Sequence, residues 1–434
     1  MQTKTYDVAV IGSGPGGLAA AIAAKKHGAH KVLLIERDTE LGGILLQCIH
    51  NGFGVEIFKE DLPGPSYAQR FINKAMNLQV ETLLDTMVLE ITPDRHIFAS
   101  NKTGGIMDIQ ARAIVLAMGC RERTRAQIRI PGSRPSGVYT AGTAQRWVNI
   151  EGFMPGKRFV ILGSGDIGMI MARRLTFEGA EVERVLEIMP YLSGLYRNYV
   201  QCLQDFNIPL QLHHTIKRII GNNRVEAIEA VRVDEKWHPI PGSEEIIPCD
   251  TLLLSVGLIP ENELSRQVGI QLDPITGGPY VDNYFHTSVD GFFAAGNVVH
   301  VYDLVDWVTM AGTIAGESAA LFSQNKLQRA STYTKISAGE NVRYVVPHKL
   351  SAESLAEHEE KLQLRVIQPL EESVRVEVVD GETIIARKAL PYTRPGEMVT
   401  IALREKNLAA VKRAQELFVH IKRRDKKIQK NYIS

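Results

Sequence analysis

The feature that most constrains this chain is a glycine-rich turn near its N-terminus, in the stretch YDVAVIGSGPGGLAAAIAAKKHGAHKVLLIER. The apolar run Val8–Ile11 predicts a buried parallel strand, and the alanine-rich segment 17–27 predicts a helix. Gly12, Gly14 and Gly17 stand at their junction in the pattern G-x-G-x-x-G. The first glycine permits a tight turn, the second lets a pyrophosphate approach the backbone, and the third lets helix and strand pack closely.

Two further features of the same stretch support a dinucleotide site. A second apolar strand, Lys31–Ile35, is followed by Glu36, nineteen residues after Gly17, where a carboxylate can accept hydrogen bonds from ribose hydroxyls. The helix N-terminus adds unpaired N–H groups and the positive end of the helix dipole. The alternative is a glycine turn in an α/β core that binds no ligand. The predicted cofactor contacts of this turn are Gly12, Gly14, Pro15, Gly16, Gly17, Glu36 and Arg37.

A second copy of the whole pattern follows in the middle of the chain. The strand Arg158–Leu162 leads into the turn GSGDIG at 163–168, a predicted helix follows, and Glu187 again stands nineteen residues after the last glycine. A carboxylate here repels a 2′-phosphate, which favours NAD over NADP, although Arg184 and Arg197 lie nearby in the sequence. The predicted contacts of this second turn are Gly163, Gly165, Asp166, Ile167, Gly168 and Glu187.

Length and composition bound the class of protein. A chain of 434 residues is too long to fold around a single hydrophobic core, so two or three domains are expected. A net charge of +1 gives no indication of a nucleic-acid partner, no run of about 18 apolar residues predicts a membrane span, and the start MQTKTYD does not resemble a signal peptide. No metal-binding signature is found. Scattered cysteines without a C-x-x-C pair favour the cytoplasm: Cys48, Cys120, Cys202 and Cys249.

In the C-terminal region, short segments of alternating or continuous apolar residues replace the strand–helix pattern of the preceding chain. Segments at 362–367, 374–379 and 398–403 predict a small antiparallel β domain, which follows a polar linker at 323–340. The tail at 412–430 holds eight basic residues and two acidic ones. This tail is interpreted either as a solvated terminal face or as a docking strip for an acidic partner protein.

The chain resembles the flavoproteins with two dinucleotide-binding domains, the class that includes the pyridine nucleotide–disulfide reductases. Over about residues 5–325, the resemblance rests on the two glycine-rich turns, LAMG at 116–119, LSVG at 254–257 and GFFAAGN at 291–297. It implies an α/β fold in which a Rossmann-like NAD domain is inserted into a Rossmann-like FAD domain, with a small C-terminal β-rich domain added. The implied boundaries are 1–150 and 257–325 for the FAD domain, 151–256 for the NAD(P) domain and 340–434 for the β-rich domain.

The resemblance also implies cofactor contacts outside the two turns. The segment GFFAAGN would contact the ribityl chain of FAD, and the following helix would direct its N-terminus at the flavin, where its dipole stabilises negative charge on the reduced ring. Asp303 and Asp306 stand at the head of this helix and are expected to complement its N-terminus, with substrate contact as the alternative. The implied contacts are Gly42, Gly43, Val88, Ala117, Met118, Gly119, Gly257, Gly296, Asn297 and Gly312.

The chain departs from the family pattern at two places. The disulfide reductases carry C-x-x-x-x-C after the Gly-Gly pair, but Leu45 and His50 stand at those positions, so disulfide reduction is not expected. His50 is therefore the candidate acid or base beside the flavin, and Cys48 is a candidate thiolate, with a packing role as the alternative for each. Asn297 replaces the usual aspartate of the ribityl contact, and its amide can still bond a hydroxyl.

Three strings, GGILLQCIHNGFG, LAMGCRERTR and GNVVHVYDLVDWV, resemble a bacterial flavoprotein group found as accessory subunits beside glycerol-3-phosphate dehydrogenases. That group is related to the flavin subunits of sarcosine oxidase, opine dehydrogenase, dye-linked proline dehydrogenase and hydrogen cyanide synthase. The resemblance implies an FAD-dependent oxidoreductase that transfers hydride or electrons between NAD(P)H and a small-molecule or protein acceptor. The alternatives are the flavin subunit of a heteromeric dehydrogenase of glycerol-3-phosphate or secondary-amine type, with an iron–sulfur partner, and a non-catalytic FAD or NAD sensor. A homo- or hetero-oligomer is expected.

Overall fold

A computed structural model describes residues 4–327, 332–356 and 359–424. The chain divides into two compact units, of which the first comprises Met1–Leu45, His50–Gly119 and Pro260–Ser434 and the second comprises Leu46–Ile49 and Cys120–Ile259. No helix among the described residues is long and apolar enough to cross a membrane. The helices are α1 (Pro15–Lys26), α2 (Gly64–Asn77), α3 (Arg125–Ile128), α4 (Ala141–Arg146), α5 (Asp166–Phe177), α6 (Tyr196–Cys202), α7 (Glu263–Gln267), α8 (Val305–Ser323) and α9 (Leu408–Arg413).

The strands alternate with these helices over most of the chain and follow one another in its C-terminal part. They are β1 (Lys4–Ile11), β2 (Val32–Ile35), β3 (Glu81–Leu83), β4 (Thr86–Ile91), β5 (His96–Asn101), β6 (Gly105–Leu116), β7 (Cys120–Glu122), β8 (Val138–Thr140), β9 (Arg158–Leu162), β10 (Glu181–Glu187), β11 (Leu210–Leu212), β12 (His214–Ile220), β13 (Ala227–Arg232), β14 (Glu245–Pro248), β15 (Thr251–Leu254), β16 (Leu258–Pro260), β17 (Phe292–Ala294), β18 (Thr334–Ala338), β19 (Val342–Val346), β20 (Lys349–Leu350), β21 (Glu360–Val366), β22 (Val374–Asp380), β23 (Thr383–Leu390), β24 (Val399–Leu403) and β25 (Glu416–Arg423).

The main sheet of the first unit has the strand order β3-β2-β1-β6-β5-β4, and β17 also pairs with β6. Strands β1, β2, β3 and β17 run parallel to their neighbours, with Val10 opposite Leu34 and Val115, whereas β4, β5 and the first half of β6 form an antiparallel ribbon. Strands β2 and β17 and the second half of β1 are buried on both faces, as expected for continuous apolar runs covered by helices, whereas the edge strand β3 is exposed. This sheet is the Rossmann-like arrangement expected for the FAD domain.

Helices α1 and α8 pack together over this sheet because small residues face one another. Nine of the twelve residues of α1 are buried, and most of them are alanine or glycine. A Cβ atom added to Gly312 would overlap the carbonyl oxygen of Gly16, and one added to Gly316 would overlap that of Ala20. The two helix backbones are therefore in direct contact.

We expect Gly312→Ala to lower the free energy of unfolding by about 1–3 kcal/mol, because the added methyl would force the two helices apart. Thr313→Ala is the matched control, since Thr313 lies on the exposed side of the same helix, and should change the free energy by about 0.5 kcal/mol or less. Thermal unfolding followed by circular dichroism measures both. Equal melting temperatures for the two variants would contradict this helix contact.

The second unit repeats the plan of the first. Its parallel sheet has the order β11-β10-β9-β15-β8, and an antiparallel sheet of β12, β13 and β14 accompanies it. Helix α5 follows β9 in the way that α1 follows β1, and it buries Met169, Met171 and Leu175 in the core of the unit. The duplication expected from the two glycine patterns is thus present in the fold.

The C-terminal β region consists of two sheets, β20-β18-β25-β22-β23 and β19-β21-β24, around a core of aliphatic side chains such as Leu364, Val376 and Leu417. It belongs to the same compact unit as the FAD-type sheet. Several hydrogen bonds link the β region to the rest of this unit: for example, the His348 N–H donates to the Val281 carbonyl at 2.9 Å, and the Asn283 amide donates to Glu360 at 3.1 Å.

Four details differ from the sequence expectation. The second unit begins at Cys120 and ends at Ile259, not at 151 and 256, because β8 pairs with β15 in the second sheet. The pattern of residues 81–92 predicts one strand, but the structure has two, β3 and β4, because Asp85 adopts a φ of +48° between them. Within the expected linker, residues 334–338 form β18, and β18 runs parallel to β25, so the region is not wholly antiparallel. The expected basic tail is partly α9 and β25, and its residues from 425 lie outside the described residues.

Candidate active site

The first glycine-rich turn has an open backbone surface at its centre. Gly12 adopts a φ of +99°, and a Cβ there would lie 2.5 Å from the Ala117 carbonyl oxygen. A Cβ on Gly17 would overlap the carbonyl oxygen of Gly12. In contrast, a Cβ built on Gly14 meets no atom within 4 Å. Two glycines of the turn are therefore required by protein packing, whereas Gly14 leaves a space at the N-terminus of α1.

Glu36, the residue after the end of β2, is buried beneath this turn, and its carboxylate holds the turn in shape through hydrogen bonds. Its Oε2 atom accepts bonds from the Ser13 backbone N–H at 2.8 Å and from the Ser13 hydroxyl at 2.7 Å, and its Oε1 atom accepts the Asp38 N–H at 2.9 Å. Gly42 donates its N–H to the Ser13 carbonyl at 3.1 Å, which holds the Gly42–Gly43 segment against the turn. Glu36 thus shapes the turn, and its Oε1 atom, which accepts one donor, retains acceptor capacity for a ribose hydroxyl.

The second turn is built with the same bonds at the same sequence spacing. Glu187 accepts from the Ser164 N–H at 2.9 Å and the Ser164 hydroxyl at 2.6 Å through Oε2, and from the Met189 N–H at 2.9 Å through Oε1. Ser193 takes the place of Gly42, twenty-nine residues after the turn serine in both copies, and its N–H bonds the Ser164 hydroxyl at 2.9 Å. Sequence reasoning missed Ser13, Ser164 and Ser193, although the shared GSG string was a signal for the first two.

The two turns differ in the residue that follows the neighbouring parallel strand, which is β6 at the first turn and β15 at the second. Ser255 stands at the second turn in the place that Ala117 takes at the first, and its hydroxyl accepts the Gly168 N–H at 3.0 Å. A Cβ on Gly165 would lie 2.9 Å from this hydroxyl, so the second turn is less open than the first. Asp166, the first residue of α5, accepts the Leu195 N–H at 2.9 Å and the Asn198 amide at 2.6 Å.

The remaining predicted contacts fall into three groups. Ala117, Met118 and Gly119 follow β6 beside the first turn, and Gly257 follows β15 at the same position of the second unit. Gly296 and Asn297 form a short 3-10 turn after β17, where the Asn297 side-chain oxygen accepts the Tyr302 N–H at 3.0 Å. Val88 is buried in β4, Arg37 is exposed beside Glu36, and Gly312 lies in the α1–α8 contact; cofactor contacts by these three stay predictions.

Only one of the two aspartates at the head of α8 takes the expected role. The N-cap residue is Leu304 and no side chain caps the helix, so the expected capping by Asp303 is wrong. Asp303 instead accepts the Met398 N–H at 2.8 Å and lies 3.6 Å from the Arg365 guanidinium, which joins it to the C-terminal β region. Asp306 is buried in the first helical turn, where its charge suits the helix dipole, and it accepts the Glu56 N–H at 2.8 Å.

The two candidate catalytic residues lie in different units. Cys48 belongs to the second unit, where its sulfur lies 3.9 Å from the Gln145 side-chain oxygen, and burial raises the pKa of its thiol to about 12. His50 belongs to the first unit, where its Nδ1 lies 2.8 Å from the Asn51 carbonyl oxygen and its ring lies 5.1 Å from that of Phe53. A protonated thiol favours packing for Cys48, and an acid or base role for His50 stays a prediction.

We expect iodoacetamide to alkylate Cys48 slowly at pH 7.5, because only the thiolate reacts and the raised pKa keeps the group protonated. Below that pKa the rate should rise about tenfold per pH unit while the protein stays folded. Peptide mass spectrometry measures the modification, with the guanidinium-unfolded protein as the fast control. Equal rates in the folded and unfolded protein at pH 7.5 would contradict a thiol with a raised pKa.

Comparison with known proteins identifies the class to which this arrangement belongs. Residues 6–315 match the model of the pyridine nucleotide-disulphide oxidoreductase family. The chain therefore belongs to that family, and it is an FAD-dependent NAD(P)H oxidoreductase. The four cysteines form no disulfide with one another, and no group of three or more His, Cys, Asp or Glu side chains that could hold a metal occurs in the described ranges.

Several curated relatives are components of larger enzymes. One of the opine oxidase subunits of Agrobacterium tumefaciens is 25% identical over 347 residues, which cover 76% of this chain and 67% of the relative. The HcnB subunit of hydrogen cyanide synthase from Pseudomonas protegens is 23% identical over 284 residues, which cover 60% of this chain and 58% of the relative. The chain thus spans between about half and two thirds of the length of these relatives.

The solved structures support the fold. Thioredoxin reductase from T. acidophilum matches with a TM-score of 0.60 and 22% identity, over 74% of this chain and 99% of that one. L-proline dehydrogenase from P. horikoshii matches with a TM-score of 0.51 and 21% identity, over 75% of this chain and 57% of that one. These values confirm the two-domain flavoprotein architecture.

The residues at both turns fit the cofactors that the family implies. The open surface at Gly14 and the N–H groups of α1 suit the FAD pyrophosphate, because a side chain at this position would occupy the space. The turn at Gly163 and the N-terminus of α5 suit the pyrophosphate of NAD(P), with Glu187 placed for a ribose.

Proposed function

We propose that this protein oxidises NADH and passes the electrons to an acceptor other than a disulfide. The bound FAD supplies the hydride and electron chemistry. The observation that carries the proposal is the presence of two intact turns with the same serine–glutamate bonds, at Glu36 and Glu187. If the second turn no longer bound a nucleotide, its buried glutamate would not need to keep the same three donors as the glutamate of the first turn. These donors are the N–H and hydroxyl of the turn serine and the N–H two residues after the glutamate.

The chain's own residues bind and orient the two cofactors. Glu36 and Ser13 hold the first turn in the shape that exposes the Gly14 backbone, and Glu187 with Ser164 does the same for the second turn. At α8, no side chain caps the N-terminus, and the positive end of the helix dipole can stabilise negative charge there. His50 is the proposed acid or base and Cys48 a weaker candidate.

The electrostatics of the second turn support NADH over NADPH. The buried Glu187 carboxylate repels a 2′-phosphate. Arg184 lies near Glu187 in sequence, but its guanidinium donates a hydrogen bond of 2.9 Å to the Glu245 carboxylate. It is therefore a poor partner for a phosphate. Arg197 is exposed at the start of α6 and is the remaining cation.

The test is steady-state turnover with a dye such as dichlorophenolindophenol as the electron acceptor. We expect kcat/KM for NADH to exceed that for NADPH by about tenfold or more, which corresponds to about 1.4 kcal/mol of discrimination. Turnover with neither nucleotide, while another donor reduces the flavin, would contradict the proposal.

A second candidate function is the flavin subunit of a heteromeric dehydrogenase. The relatives named as subunits favour it. The complex would be a dehydrogenase of glycerol-3-phosphate or secondary-amine type, and the flavin would pass its electrons to a partner protein, such as an iron–sulfur protein. NADH–dye activity of the isolated chain that equals the activity of the complex would argue against it.

A further inference from the structure

The C-terminal β region contains a groove that lies outside the family match at residues 6–315. Strand β23 is the edge of one sheet and β24 is the edge of the other, and both contribute to the groove. Its volume is about 810 Å³, which is within the usual range of binding sites. Two side chains cross the groove: the Lys388 ammonium donates to the Thr400 carbonyl oxygen at 2.8 Å, and the Asn407 amide donates to the Ile385 carbonyl oxygen at 2.8 Å.

Positive charge dominates the walls of this groove. Five cations line it against one carboxylate, Glu359, which is paired with Arg404 at 2.5 Å. Lys361, Arg387 and Lys406 form no ion pair with another residue of the described ranges. Burial and the neighbouring Lys361 charge lower the pKa of the Lys388 ammonium. An anion in the groove would therefore relieve unbalanced charge.

The edge strand β23 is shaped to accept another strand. Its only strand partner in the described sheet is β22, and it extends for eight residues with most positions exposed. A bulge interrupts it at Ile385, whose carbonyl oxygen accepts the Asn407 side-chain amide at 2.8 Å, so strand addition is open only outside this residue. Ile384 is 47% exposed on this strand, so apolar surface stands beside the charge. An unpaired, extended edge with an apolar surface is the usual receptor for β-strand addition. No aromatic ring is found among the lining residues, which gives single-stranded nucleic acid no stacking platform.

We propose that this groove is the docking site for an acidic, extended segment of a partner protein. The segment adds its backbone to the edge of β23 outside Ile385 and places carboxylates against Lys361, Arg387 and Lys406. The proposal does not depend on the nature of the electron donor, since every residue that carries it lies between 359 and 407.

Fluorescence anisotropy with the full-length protein tests the proposal. The probe is a rhodamine-labelled peptide of ten alternating Glu and Val residues. We expect it to bind at low salt, and Arg387→Glu to weaken binding by about tenfold or more. Lys422→Glu is the matched control, because Lys422 is an exposed cation on β25 outside the groove, and it should change affinity by less than about twofold.

Two further probes separate the alternatives. A peptide with Gln in place of Glu, and a Glu–Val peptide with alternate backbone nitrogens methylated, should each bind about tenfold more weakly, because one lacks charge and the other cannot complete the strand ladder. Equal binding of the Gln–Val peptide, equal losses in Arg387→Glu and Lys422→Glu, or binding of labelled oligothymidylate without binding of the Glu–Val peptide would overturn the proposal.

Discussion

Gly14→Ala is expected to give a stably folded protein that has lost most of its affinity for FAD. Gly14 has an extended backbone, with φ −63° and ψ −176°, which alanine adopts without strain, and the added Cβ meets no protein atom within 4 Å. The methyl would instead occupy the space left for the pyrophosphate. A steric cost of about 1–3 kcal/mol predicts a loss of about 10- to 100-fold in affinity.

The control for this variant is Gly17→Ala in the same turn. Its Cβ would overlap the Gly12 carbonyl oxygen, so the apoprotein itself should lose stability. The FAD content after dialysis and the melting temperature of the apoprotein together distinguish the two effects. Wild-type FAD affinity in Gly14→Ala would show that the pyrophosphate does not lie on this turn.

Glu187→Gln is expected to impair the use of NADH without removing FAD. Four donors converge on the Glu187 carboxylate: the Ser164 N–H, the Ser164 hydroxyl, the Ser193 hydroxyl and the Met189 N–H. An amide offers one acceptor oxygen and turns its NH2 toward the remaining donors, so the second turn loses its fixed shape. We expect the KM for NADH to rise about tenfold or more.

Two controls belong to this prediction. Glu181→Gln changes an exposed carboxylate on the same strand, β10, and should leave the kinetics unchanged. Glu36→Gln makes the same change in the first turn and should lower FAD content instead. The measurements are FAD per chain by absorbance and stopped-flow reduction by NADH. Loss of FAD in Glu187→Gln, with normal NADH kinetics in the remaining holoprotein, would contradict the assignment of the two turns.

The sequence predicted the parts of the fold that depend on local patterns. The strand, glycine turn and helix around Gly12 and Gly163 lie within a few residues of their expected bounds, because apolar runs and glycine spacing determine them directly. The strands near 362, 374 and 398 were found for the same reason. The break at Asp85 was missed because a positive φ at a non-glycine residue leaves little trace in the sequence.

Long-range contacts account for most of what the sequence could not show. The C-terminal β region is bonded to the FAD-type unit through His348 and Val281, which are sixty-seven residues apart, and no local pattern specifies that pairing. The Met398 N–H donates a hydrogen bond to the Asp303 carboxylate across ninety-five residues of sequence. Asp303 therefore contacts the C-terminal β region and does not cap the helix as expected. In the site, the glutamates at 36 and 187 were found by their spacing, but the serines that they bind were not.

Anaerobic titration of the purified protein with NADH tests the central claim most directly. The account predicts a yellow protein with about one FAD per chain, whose visible absorbance is bleached by about one equivalent of NADH and restored by an electron acceptor. A colourless protein that does not bind added FAD, or a bound flavin that dithionite reduces and NADH does not, would contradict it.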